Sequence, residues 1–72
     1  MAEKVREALK ILRRKQLEER LQLSRSTIYE RMRTDPEFPR SVNLGGRAVG
    51  WVEGEVDAYL AFLIERSRAN AA

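Results

Sequence analysis

Ser24-Arg25-Ser26-Thr27-Ile28-Tyr29-Glu30-Arg31-Met32-Arg33 is the stretch whose reading decides the fold. Ser24 suits a helix N-cap, because its hydroxyl can accept one of the amide hydrogens that the first turn leaves unpaired. Ile28 and Met32 lie four apart, so they share a face and are expected to anchor the helix on a core. At about 100° per residue, Ser26, Glu30 and Arg33 point the other way, with Tyr29 on the flank. A short rod pinned on one side and offering hydroxyl, carboxylate, phenol and guanidinium on the other is what a DNA major groove accepts. An ordinary solvated surface helix has the same amphipathy. The flanking sequence has to separate the two readings.

Upstream, Val5, Ala8, Leu9 and Leu12 recur at helical spacing. If that helix ran on unbroken, Leu17 and Leu21 would project roughly 120–160° away from this stripe, and one straight helix would not bury both. A break is therefore expected around Ile11 to Arg14, making residues 1–10 a semi-independent arm. Residues 15–21 form two short turns with Leu17 and Leu21 inward, and Gln22 and Leu23 lead into Ser24. Leu17, Leu21, Leu23, Ile28 and Met32 together give the apolar register of a helix-turn-helix, although a plain helical hairpin shares the pattern.

Downstream, Thr34, Asp35 and Pro36 end the helix, since a proline disfavours helical geometry at the residue before it. Phe38 and Pro39 lead into a hairpin, Val42-Asn43-Leu44 and Arg47-Ala48-Val49-Gly50-Trp51, joined by a Gly45-Gly46 loop suited to primed turns. The expected partners are Leu44 with Arg47, Asn43 with Ala48 and Val42 with Val49. That register puts Val42, Leu44, Val49 and Trp51 on a core face, with Ser41, Asn43, Ala48 and Gly50 opposite. A lone hairpin is unstable in water, so it must pack on the helices. From Glu53 the helical period returns, with Val56, Tyr59, Leu60, Leu63 and Ile64 on one stripe. Glu53, Glu55 and Asp57 crowd the start of this helix and Arg66 and Arg68 its end, as the helix dipole favours. Residues 69–72 are expected to fray.

Helix, turn, helix, hairpin and closing helix make a winged helix-turn-helix, mainly α with a small β-hairpin wing. Seventy-two residues allow one domain. We assign it to residues 11–68, after the arm of residues 1–10. The chain has no cysteine and no histidine. Disulfides, thiolate zinc sites, cysteine nucleophiles and the usual general base are thereby removed, and neither an enzyme nor a cofactor is expected. No apolar run approaches the roughly 20 residues needed to span a bilayer, so a soluble, cytoplasmic, nucleoid-associated protein is expected. The net charge is +3. Residues 1–34 carry ten Lys/Arg against five Glu, whereas residues 35–72 carry four Arg against six acids. Positive charge thus gathers in the half that holds the decisive stretch, as a phosphate-facing surface requires.

The runs LSRSTIYERM, FPRSV and LGGRAVGW, followed by Glu55-Val56 and Ala58-Tyr59-Leu60, resemble the AlpA-type phage regulatory proteins, small winged-helix DNA binders related to MerR-type and excisionase domains. The resemblance covers about residues 11–64. It implies a transcriptional regulator of prophage genes or an excisionase-like accessory factor. It also implies a short strand at Ile11 to Arg13 beside the wing, a recognition helix at Arg25 to Arg33, a wing tip at Gly45 to Arg47, and a core role for Trp51. Two departures stand out. Gln22 occupies a turn position where the family carries Gly, so either the second helix starts under strain or Gln22 is left-handed at modest cost. Ser41 replaces the family's second proline, which leaves the first wing strand less stiff.

The expected partner is double-stranded DNA. Arg25 and Thr27 near the helix start would hold phosphates. Ser26, Glu30 and Arg33 are the candidates for base edges, with Tyr29 on a phosphate or under the wing. Arg14 and Lys15 would clamp the flanking backbone, while Gly45, Gly46 and Arg47 reach the neighbouring backbone or minor groove. A homodimer or cooperative oligomer on DNA is expected, because one such module contacts only about 600–1,000 Å². The alternative is a protein-binding module that docks on an integrase, polymerase or response regulator.

Overall fold

A computed structural model of the chain describes residues 10–71. In order, these form β1 (Ile11–Leu12), α1 (Arg14–Leu21), α2 (Arg25–Thr34), β2 (Val42–Gly45), β3 (Ala48–Val52) and α3 (Glu53–Ala71). The strands make one antiparallel sheet in the order β1-β3-β2. The fold is a helix-turn-helix with a β wing, closed by a long third helix. The helical stripe expected through Val5, Ala8 and Leu9 lies outside the described residues.

Local chemistry sets the element boundaries. Arg13 is extended, at φ −84° and ψ 169°, and its amide donates to Gln16 Oε1 at 2.9 Å. The phase break before α1 is the strand β1, and it lies where the apolar spacing changes register. α1 ends at Gln22, which is left-handed at φ 56° and ψ 41°. Its Nε2 donates to the Glu19 carbonyl at 2.7 Å, closing one of the carbonyls the helix end leaves open. Ser24 caps α2 by accepting the Thr27 amide at 3.2 Å. Asp35, at φ −108°, leaves helical geometry ahead of Pro36.

The core consists of Leu12, Leu17, Leu21, Ile28, Phe38, Trp51, Val56 and Tyr59, with Leu23, Leu60 and Leu63 partly buried around it. Trp51, Leu17, Ile28 and Val56 are fully buried. Each such side chain contributes about 1.5–3 kcal/mol relative to exposure. Two expected anchors lie elsewhere. Met32 is 36% exposed and Ile64 43% exposed. The back of α2 is held at its far end by Arg31, whose Nη1 donates to the Tyr59 hydroxyl at 3.0 Å. The buried stripe of α3 stops short of Ile64 because the helix outlasts the sheet and helices beneath it. α3 continues through Ala69 and Asn70 to Ala71.

The hairpin register also differs from the expectation. Val42 pairs with Gly50, Asn43 with Val49 and Gly45 with Ala48, with an irregularity between Asn43 and Gly45. The turn is Gly46-Arg47, one residue later than Gly45-Gly46. Asn43 Oδ1 accepts the Gly45 amide at 2.7 Å, which stabilises the bulge that absorbs Leu44. A one-residue slip exchanges the faces. Val42 therefore shares a face with Gly50, away from Trp51, and Val42 and Leu44 are 39% and 43% exposed. β1 pairs Ile11 with Val52 and Leu12 with Trp51. Leu12 thus joins the core face, while Ile11 lies over Gly50, where any Cβ would collide with its side chain.

Two further ties complete the body. The Glu53 amide donates to the Lys10 carbonyl at 2.8 Å, joining the start of α3 to the entry of β1. Arg20 on α1 donates to Asp57 at 2.6 Å and to Glu53 at 2.9 Å. The acids gathered at the start of α3 thus serve Arg20 as well as the helix dipole, and the hydrogen bond that Arg20 donates to Asp57 is the main reason the guanidinium is held still more firmly protonated.

Candidate nucleic-acid interface

The site is built on α2. With Ile28 buried and Arg31 drawn to Tyr59, the azimuth of the helix is set and its opposite face turns to solvent. Arg25, Ser26, Tyr29, Glu30 and Arg33 line a shallow depression on that face. Arg25 stacks over the Tyr29 ring, 5.7 Å from guanidinium to centroid. Arg33 Nη2 meets Glu30 Oε2 at 2.7 Å. Ser26 Oγ lies 3.4 Å from Ser24 Oγ. Thr27 is turned toward the cap, its hydroxyl 2.9 Å from Ser24 Oγ.

A second cleft adjoins the first. Arg13, Arg14, Lys15, Tyr29, Arg47 and Val49 line it, so the entry of α1, the flank of α2 and the wing meet there. Tyr29 belongs to both depressions. The one-residue shift of the turn puts Arg47 at the tip of the wing, with Gly46 at φ 57° beside it and Gly45 at φ 113° closing the strand. Only glycine adopts these angles readily, so the tip stays narrow. Of the residues expected to form the interface, Arg14, Lys15, Tyr29 and Arg47 come together here, and Arg25, Ser26, Tyr29, Glu30 and Arg33 on the neighbouring face.

Charge within the site is partly committed. Arg14 is paired with Glu18 at 2.5 Å and Arg33 with Glu30. Among the described residues, Arg13, Lys15, Arg25 and Arg47 have no carboxylate partner. Arg13 was not singled out in the sequence; the Arg13-Arg14-Lys15 run is the signal that would have found it. Arg40 was also missed. It shares a groove with Arg33, Thr34 and Ser41 beyond the end of α2. Nothing in the spacing of the extended stretch marks it.

Behind the face, Arg31, Tyr59 and Asp35 form a chain of hydrogen bonds. Tyr59 donates to Asp35 Oδ2 at 2.7 Å and accepts from Arg31. That bond, with the Glu37 amide on the other carboxylate oxygen at 2.9 Å, holds the Asp35 carboxyl below its ordinary range. Burial, reinforced by the bond to Asp35, pushes the Tyr59 phenol up. No helix among the described residues is long and apolar enough to cross a membrane.

A short helix seated on a neighbouring helix, with a cation-tipped hairpin alongside, defines a winged helix-turn-helix of the kind found in regulatory proteins. The chain belongs to the AlpA family: the model for "Prophage CP4-57 regulatory protein (AlpA)" matches residues 10–64. It is 36% identical over 61 residues to the DNA-binding transcriptional activator AlpA of Escherichia coli K12, covering 78% of this chain and 87% of that protein. It is 56% identical over 39 residues to the uncharacterized protein ORF88 of Enterobacteria phage P4, covering 54% of this chain and 43% of that protein. The match therefore spans under half the length of the phage relative. No solved structure matches the chain.

Proposed function

We propose that the chain is a prophage-encoded, sequence-specific regulator of transcription that binds double-stranded DNA. One observation carries the reading: the exposed face of α2 and the cleft under wing-tip Arg47 share Tyr29 as a common wall. α2 enters the major groove with Ser26, Glu30 and Arg33 toward base edges and Arg25 toward a phosphate. Arg13, Lys15 and Arg47, with the entry of α1, hold the adjacent backbone, and Arg40 adds a contact beyond the far end of α2. Thr27 supports the cap through its amide and hydroxyl, while the amides of Arg25 and Ser26 face the phosphate. The single module is small for specific recognition, so copies bind repeated sites as dimers or a cooperative array.

Fluorescence-anisotropy titrations across a salt series test the reading. Arg47→Ala weakens every sequence and lowers the slope of log affinity against log salt by about 0.9. Arg33→Ala instead flattens sequence preference, by about 1–3 kcal/mol at one position. Parent-like behaviour in both variants would remove the assignment. A second reading, docking on an integrase or polymerase, draws on the exposed Phe62 and Ile64 of α3, which no duplex contact requires. Binding that needs no DNA and survives high salt would favour it.

A further inference from the structure

Glu30 is the anomaly of the site: a carboxylate in the middle of a face meant for a polyanion. Its Oε2 holds Arg33 Nη2 at 2.7 Å, and the side chains are 59% and 73% exposed. No partner among the described residues engages Glu30 Oε1, or Arg33 Nη1 and Nε. The couple therefore keeps a free carboxylate oxygen on one side and, on the other, a two-donor fork made of the second Nη2 hydrogen with a neighbouring Nη1 or Nε hydrogen. Three residues of helix rise about 4.5 Å, close to the roughly 3.4 Å between successive bases of one strand. The two ends of the couple can meet neighbouring base pairs.

We infer that Glu30 and Arg33 act as one reading unit for adjacent C and G. Resting on the DNA reading above, the unit works by Glu30 Oε1 accepting from the cytosine N4 amino group while Arg33 donates to guanine O6 and N7. The ion pair biases the guanidinium plane before DNA arrives, which lowers part of the ordering cost of the guanine contact. It also cancels the charge of Arg33, so this part of the face adds nothing to attraction for phosphates of any sequence. Against a thymine O4 or guanine O6 at the first position, the free carboxylate oxygen faces another acceptor and the site is rejected. Glu30 thus lowers general affinity and raises selectivity.

The test is site selection from a random duplex library with the full chain, Glu30→Gln, Arg33→Ala and the double variant, followed by titration of the selected duplex at one salt concentration. Circular dichroism checks that each variant is folded. The parent should select adjacent C and G columns. Glu30→Gln should bind random duplex more tightly and shift the C column toward A, because glutamine pairs with adenine N6 and N7. Each single substitution should cost at least about fivefold on the selected duplex, and the double variant no more than the worse single. An unchanged column in Glu30→Gln, or losses that multiply in the double variant, overturns the coupled unit while leaving DNA binding intact. A parent that binds no duplex removes the DNA reading and this unit with it.

Discussion

Tyr59 on α3 donates a 2.7 Å hydrogen bond to Asp35, the residue that ends α2. α2 is therefore held from behind by a polar clasp, in the place where sequence pattern expects the thioether of Met32. Because Tyr59 also accepts from Arg31, a turn before Asp35, both ends of the last turn of α2 rest on one phenol.

This clasp makes stability depend on pH in two windows. The Asp35 carboxyl is lowered, chiefly by Tyr59 and then by the Glu37 amide. Its contribution is present above the ordinary aspartate value of about 3.9 and is lost as pH falls through the lowered folded value. The Tyr59 phenol is raised, so its contribution is present below about pH 10 and is lost as pH rises through the raised value. Thermal melts from neutral to acid pH should show Tm falling in the parent below about pH 4. Asp35→Asn should flatten that limb and leave the alkaline limb largely in place.

Gln22→Gly should stabilise the protein. Gln22 is the one non-glycine residue among those described with positive φ. Relief of the left-handed cost outweighs the loss of an exposed side-chain hydrogen bond to Glu19, giving a net gain of about 0.5–1 kcal/mol. Urea unfolding should show a higher midpoint with an unchanged m value.

Gly50→Ala should destabilise by about 1–3 kcal/mol, as overpacking does. The added methyl meets the Ile11 side chain, with the Leu12 carbonyl and Leu44 close by. Pairing it with Ile11→Ala makes room, so the double variant should recover part of the loss in the same unfolding assay.

Arg20→Ala should lower Tm at low salt, since Arg20 bridges α1 to both Glu53 and Asp57. All three groups are at least partly exposed, so the pairs are open to screening. The difference from the parent should shrink toward zero in 1 M salt, where the Debye length is about 3 Å.

Much of this was legible in the sequence. The Ser24 cap, the phase break before Arg14 and the Pro36 stop follow from short-range rules, and the family resemblance implied the burial of Trp51. Met32, Ile64 and the hairpin register did not. Helical spacing assigns Met32 and Ile64 to a face but not how far the opposing surface extends. The register turned on a side-chain contact, Asn43 to the Gly45 amide, that makes a bulge and moves the turn by one residue. The same shift exposes Val42 and Leu44 and carries Arg47 to the tip. In the site, the run of basic residues pointed to Lys15 and Arg14, which line the cleft together with Arg13, although Arg14 is also engaged by Glu18. Ion pairs between side chains three or four apart are easy to enumerate in a sequence, but only geometry selects those that form.

The pairing of Ile11 and Leu12 with Val52 and Trp51 has a kinetic corollary. The first strand finds its mate only after the entire helix-turn-helix and the hairpin have left the ribosome. Until Trp51 arrives, Leu17 and Ile28 lack the largest ring of their shared interior. Contacts that span most of a chain close slowly, so α2 becomes firmly seated late, in one step with the sheet, and a polypeptide cut short before residue 51 would carry every side chain of the exposed α2 face yet no rigid frame to aim them.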